Sequence, residues 1–234
     1  SLLDHYRFAP GLAKHVRPNV EKILGAAAAS RDRLLFPGGF ETYNLTGFYD
    51  TFLPVAQAAP SNEYHYVSYV HGDLNGANIL VDGRENVWVI DFFHTAPGHV
   101  LKDLAKIEND LLYIYTPVTD EGRSFEQAVA ITKALRRVED LAAPLPETCE
   151  GLTDEPFLRA WSTLRTLRGL AGRLCREDRD PMQMRIALLR YSAHTLAFDE
   201  SSALQKKWAL AASSVHAEDI VLATHANRKL RVDW

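Results

Sequence analysis

Three residues between His71 and His94, in the stretch HGDLNGANILVDGRENVWVIDFFH, carry the side chains of a metal-assisted acid–base site. Asp73 follows His71 and Gly72, Asn78 comes five positions later, and Asp91 closes an apolar run eighteen positions after Asp73. An amide oxygen and a carboxylate are the hard donors that Mg²⁺ takes together with water and phosphate oxygens. A second carboxylate on a loop beside them is placed to accept a proton from a hydroxyl. Singly, each residue has a plain alternative: a turn at His71-Gly72-Asp73, a strand-edge cap at Asn78, a strand end at Asp91. Residue type, spacing and the flanking strand patterns together point to a site.

The flanking segments are what must hold those residues. NILV and VWVI on either side of DGREN read as a β-hairpin. A hairpin brings its open ends together, so Asn78 and Asp91 should be neighbours. Asp73 then faces the same cleft from the loop that follows YHYVSYV, a β-rich run over 64–70. Helical patterns dominate the remainder. Leu104, Ala105, Leu111, Leu112 and Tyr115 recur at three- and four-residue spacing in a helix from Leu101 that is apolar over most of its circumference. Phe125, Ala128, Val129, Leu135 and Val138 mark a second helix, closed by AAPLPE. A third, Arg-rich helix after Pro156 turns Leu158, Trp161, Leu164, Ala171 and Leu174 inward. Asp180 as N-cap and Pro181 at the first position open a fourth helix, and a fifth covers roughly Ala203 to Ala223. Near the start, NVEKILGAAAA and GFYDTFLPVAQAA read as helices around a PGG turn. The expected organisation is one unit: leading helices over 1–63, catalytic loop and metal-binding hairpin over 64–100, and a helical subdomain over 101–234.

The three polar residues, with four residues between Asp73 and Asn78, resemble the catalytic half of the protein-kinase-like fold. His-Gly-Asp in place of His-Arg-Asp, and Ile-Asp-Phe in place of Asp-Phe-Gly, resemble the aminoglycoside phosphotransferase and choline kinase branch. GHVLKDLAKIENDL is similar to that branch's Gly-then-Asp-Leu-Ala segment. The resemblance covers about residues 65–115. It implies an α+β, mostly helical chain: a kinase-like C-terminal lobe with a small catalytic hairpin. It also implies ATP and Mg²⁺ as cofactors, Asp73 as base or orienter of a small-molecule hydroxyl acceptor, and Asn78 and Asp91 as metal ligands. His71 and Asp103 become supports of the catalytic loop, Asp103 by hydrogen-bonding its backbone.

The sequence departs from that family in several places. No Gly-x-Gly-x-x-Gly occurs, and Lys14 and Lys22 lie in helical or irregular context rather than on a strand. A nucleotide-covering N-terminal lobe is therefore expected in cis, upstream of a chain that starts without Met. Phe93 replaces the glycine after Asp-Phe, which argues against a flipping activation segment. Asn75 stands where protein kinases commonly carry a phosphate-neutralising Lys. His94 and His99, with His71, invite a zinc site, but their spacing fits no common one. Glu108 falls on the apolar stripe and needs a partner, which Arg165, Arg168 or Arg173 could supply.

Bulk properties narrow the remaining classes. The 234 residues are 47% hydrophobic, enough for a sizeable core. Lys+Arg 26 against Asp+Glu 30 leaves a formal charge of −4, which does not favour a nucleic-acid partner. Cys149 and Cys175 fit a reducing compartment, and no apolar run reaches membrane-spanning length, so a cytoplasmic setting without membrane contact is expected. The leading expectation is an ATP-dependent phosphotransferase, inactive without its upstream lobe. The alternative is a catalytically inactive or regulatory kinase-like interaction domain within a larger bacterial signalling or defence protein.

Overall fold

A helical body carries three small two-stranded antiparallel sheets, and about 59% of the chain is helical, so the class is α+β and mostly helical. The computed structural model describes residues 1–8, 13–57 and 65–232, with residues 13–14 and 226–232 as backbone only. The leading segment holds α1 (Leu2–His5), α2 (Ala13–Leu24), α3 (Ala26–Ala29), β1 (Arg33–Phe36), β2 (Phe40–Tyr43), α4 (Leu45–Gly47) and α5 (Leu53–Gln57). Between α4 and α5 the chain makes a π-helical turn, Phe48–Phe52. The middle holds β3 (Val67–Val70), β4 (Ile79–Val81), β5 (Val87–Val89) and β6 (Ala96–His99). Five longer helices follow: α6 (Lys102–Asp110), α7 (Arg123–Arg136), α8 (Glu155–Leu174), α9 (Met182–Thr195) and α10 (Ala203–Val232).

Local chemistry explains where the long helices begin. Asp120 Oδ1 accepts from Gly122 N at 2.9 Å just ahead of α7, and Pro156 sits in the first turn of α8. Asp180 Oδ1 accepts from Met182 N at 2.8 Å at the head of α9. Ser202 and Gln205 form a reciprocal capping box before α10, at 2.8 and 3.2 Å. Buried against α7, α9 and β2, α10 is the central helix. Its Trp208 is edge-on to Tyr113, 5.1 Å between centroids, and its indole N–H donates to Thr132 Oγ1 at 2.9 Å.

The helix from Leu101 is more polar inside than its pattern suggests. Ala105 and Leu112 are buried, but so are Glu108, Asn109 and Asp110, while Tyr115 is exposed. A π-helical turn over Leu111–Tyr115 shifts the register there, and Thr116 Oγ1 donates to Leu111 O at 2.7 Å as it ends. Glu108 meets Arg168 of α8 in a bidentate pair, 2.6 Å on both arms. Both side chains are buried, so this pair fastens α6 to α8 and leaving either alone would be costly.

Other differences from the sequence pattern are local. RLLF and FETY on either side of the PGG turn pair as β1 and β2, where the apolar runs are too short to separate from helix. β6 pairs with β3, Val70 opposite Ala96, although Pro97 and Gly98 are poor strand residues. Gly98 is needed there because a Cβ would come within 2.7 Å of Val70 Cγ2. Leu158 and Leu174 of α8 face solvent, and α10 runs on to Val232 rather than ending near Ala223. Residues 58–59 of the second leading helix and residue 64 of the expected strand lie outside the described residues.

Candidate functional site

The loop between β3 and β4 is built around backbone groups that need partners. At its start Asp103, in the first turn of α6, accepts from His71 N at 2.7 Å through Oδ2 and from Gly72 N at 3.0 Å through Oδ1. A carboxylate there also faces the unpaired N–H groups of the helix start. His71 is buried, and its Nε2 donates to Ile90 O at 2.8 Å, so the ring ties the loop to the far hairpin strand. Its Nδ1 is buried without a partner among the described residues. Gly72 has φ +89°, and a Cβ on it would fall 2.3 Å from His94 O. The glycine of His-Gly-Asp is therefore a steric requirement, set by the backbone crossing beneath it.

Asp73 follows, half-buried, and only its carbonyl is engaged: it accepts from Asn75 N at 2.9 Å and from Asn78 Nδ2 at 2.9 Å. Its carboxylate makes no hydrogen bond among the described residues. Asn75 turns inward on the loop, its Oδ1 accepting from Ala77 N at 2.9 Å and Asn78 N at 3.2 Å. This caps a 3₁₀ turn, Gly76–Asn78, that delivers Asn78 to the head of β4. Asn78 is buried, and with Nδ2 spent on Asp73 O its Oδ1 keeps its lone pairs.

β4 and β5 pair with Ile79 opposite Val89, Leu80 opposite Trp88 and Val81 opposite Val87. The turn is held by Asp82, which accepts from Arg84 N at 2.8 Å and Asn86 N at 2.9 Å. Ladder pairing continues one step past the strands, Ile90 N to Asn78 O at 3.1 Å, so Asp91 stands next to Asn78. Asp91 adopts the left-handed conformation, φ 63° and ψ 60°, and ends the strand by turning into the 3₁₀ segment Phe92–His94. Aspartate tolerates that region better than most residues. Its carboxylate is exposed and without a hydrogen bond among the described residues.

The donor set fits a hard divalent cation in kind: one amide oxygen and one carboxylate, both uncommitted among the described residues. The three histidines do not converge. His71 is spent on Ile90 O, His94 is exposed against Phe93, and His99 is buried between Tyr6 OH at 2.8 Å and Gln183 Oε1 at 3.0 Å. Burial pulls His99 down to about 4, with neighbouring His65 and His5 adding to it. Among the described residues no group of three His, Cys, Asp or Glu is placed to hold a metal.

Two groups near Asp73 carry no sequence signal. Tyr115 lies against Gly76, so closely that a Cβ on the glycine would overlap its ring, and it covers the turn between Asp73 and Asn78. α9 contributes Tyr191 and His194, both within electrostatic reach of Asp73. Burial, the largest influence, raises the Tyr191 phenol and lowers the His194 imidazole, while the Asp73 charge raises both. Neither residue stands in a motif, and only the packing of α9 on α6 brings them here.

No curated protein and no solved structure matches the chain. One family model does, over residues 7–197, which takes in the Asp73 loop, both hairpins and the helices through α9. The chain belongs to the family described as ternary complex associated domain 9.

Proposed function

We propose that this domain is the acceptor-side half of an ATP-dependent phosphotransferase acting on a hydroxyl of a small molecule. The observation that carries this is the free Asp73 carboxylate on a loop clamped by Asp103, beside the uncommitted oxygens of Asn78 and Asp91. A purely structural loop has no physical need for three hard oxygen donors that the protein leaves uncommitted around one turn. Asn78 and Asp91 would hold Mg²⁺, which when bound neutralises charge on the nucleotide phosphates. Asp73 takes the proton from the acceptor hydroxyl as its oxygen bonds to the γ-phosphorus and the bond to the β-phosphate oxygen breaks. His71 and Asp103 act through the loop: they hold its backbone, and so the direction of Asp73, rather than touching the reacting atoms.

Exposed aromatic rings on β3, β5 and the turn after β5 support a covering lobe in the same protein. Tyr69 is 78% exposed, Trp88 60%, Phe92 60% and Phe93 87%. At roughly 150–250 Å² per ring, these four leave on the order of 500 Å² of aromatic surface in water. A patch of that size is within the range of the largest on a typical monomer, and such patches are often functional. By the two-residue strand period Leu80 and Trp88 share the Asn78 side, where a nucleotide base and its lobe would lie.

The same exposed surface, with the family's description as complex-associated, favours a second reading: an interaction domain whose site is vestigial. ATP turnover by the full-length natural protein separates the two. Asp73→Asn should lower turnover by about 10²–10⁴-fold with little loss of nucleotide affinity. A full-length protein that neither binds nor turns over ATP would leave the interaction domain standing.

A further inference from the structure

α6 runs into the π-helical turn Leu111–Tyr115, and the carbonyls at a helix end have no intrahelical partners. Buried side chains from farther along the chain meet them. Ser201 Oγ donates to Tyr113 O at 2.8 Å, and Gln205 Nε2 donates to Ile114 O at 2.8 Å and to Thr116 O at 3.0 Å. One amide therefore bridges the peptide groups before and after Tyr115. Gln205 is itself buried and fixed by the cap of α10, where its Oε1 accepts from Ser202 N at 2.8 Å. The backbone at Tyr115 is thus held from inside the molecule, while its side chain is 57% exposed. These bonds satisfy a helix end, and in doing so they aim the ring.

Its target is Gly76. A Cβ on that glycine would overlap the Tyr115 hydroxyl and lie 2.7 Å from Cζ and 2.8 Å from Cε2, well inside the roughly 3.5–4.0 Å at which carbon atoms pack. φ at Gly76 is not positive, so its backbone would accept alanine and it is the ring that excludes one. Gly76 opens the 3₁₀ turn that delivers Asn78, whose Nδ2 donates to Asp73 O at 2.9 Å. Asp103 holds the loop ahead of Asp73, and Tyr115 holds it behind.

We propose that Tyr115 is a positioning residue of the candidate site: by seating the Gly76–Asn78 turn it sets the Asn78 side chain against Asp73 and beside Asp91. The seating stands on the contact with Gly76; its consequence for Mg²⁺ and turnover rests on the phosphotransfer reading. Tyr115 acts through Asn78 rather than on the reacting atoms, as Asp103 acts through His71 and Gly72. Through Gln205 it also connects the start of α10 to the metal side of the site.

NMR of the Asn78 side-chain amide in the 234-residue chain reads the seating directly, because that amide is hydrogen-bonded to Asp73 O. Tyr115→Ala should move its resonances towards those of a solvated amide and speed its exchange with water severalfold. Tyr115→Phe, which keeps the ring carbons against Gly76, should not. Gly76→Ala should displace the same resonances when Tyr115 is present and add little in a Tyr115→Ala background, because the ring is what the methyl meets. In the full-length protein Tyr115→Ala should raise the Mg²⁺ concentration for half-maximal turnover about tenfold. Loss of folded enzyme would instead lower turnover at every Mg²⁺ concentration alike. An unmoved Asn78 amide in Tyr115→Ala, or a Gly76→Ala effect of the same size in both backgrounds, would overturn the seating. A displaced amide with an unchanged Mg²⁺ requirement would overturn the role in turnover. A displaced amide in a protein whose full-length form does not turn over ATP would overturn the phosphotransfer reading and leave the seating of Asn78 in place.

Discussion

Asp73 and Asp103 are both carboxylates of one loop, yet they hold different things. Asp103 accepts from two backbone N–H groups, whereas the Asp73 carboxylate accepts from none among the described residues. Removing Asp103 leaves two donors unsatisfied at about 1–3 kcal/mol each. Asp103→Ala should therefore lower the melting temperature by roughly 4–24 °C, at about 2–4 °C per kcal/mol for a chain of this size. Asp73→Ala should leave it almost unchanged. Calorimetry of both variants in EDTA decides this, and the opposite order would mean their roles are exchanged. Asp91 behaves differently because of its backbone: at φ 63° an alanine is strained and a glycine is not. Asp91→Gly should melt above Asp91→Ala by an amount equivalent to about 1 kcal/mol, although both remove the carboxylate. The types and spacing of these residues were legible in the sequence. The left-handed turn at Asp91 was not, because aspartate is common in many other conformations.

The hairpin of β4 and β5 is the element whose sequence and surroundings disagree most. Val81, Val87 and Val89 lie on one face and Leu80 and Trp88 on the other, and all five are exposed. Strands apolar on both faces are ordinarily buried on both. Since these side chains bury little here, a Val81→Thr, Val87→Thr, Trp88→Gln triple variant should change this chain's stability by less than about 1 kcal/mol. Its bis-ANS fluorescence should fall severalfold. A large drop in melting temperature would instead mean that the hairpin packs within the domain. The pairing of β4 with β5 could be read from DGREN between two apolar runs. β6 could not, because its Pro97 and Gly98 argue against a strand, and only the approach of Val70 explains the glycine.

At the scale of the whole molecule, two buried histidines link stability to pH. Burial lowers His216 to about 3, with Arg185, Arg168 and Arg136 adding, and His99 to about 4. Both folded values lie below the ordinary imidazole value of 6.5, so the unfolded chain takes up these protons first. Their contribution is complete above pH 6.5 and is lost as pH falls from there towards 4. Each should cost roughly 1 kcal/mol at pH 5.5 relative to pH 7. Urea midpoints at the two pH values measure this, and His216→Gln should remove about half of the fall; an unchanged fall would assign it to other groups. The sequence alone determined the mostly helical class, the hairpin, the types and spacing of Asp73, Asn78 and Asp91, and the need of Glu108 for a partner, because periodicity, turn residues and residue types act over a few neighbouring positions. Only tertiary structure decided which arginine meets Glu108, that His99 is buried, and that Tyr115 covers Gly76. Those contacts join residues far apart in the chain, and their geometry comes from how whole helices pack, which no local pattern encodes.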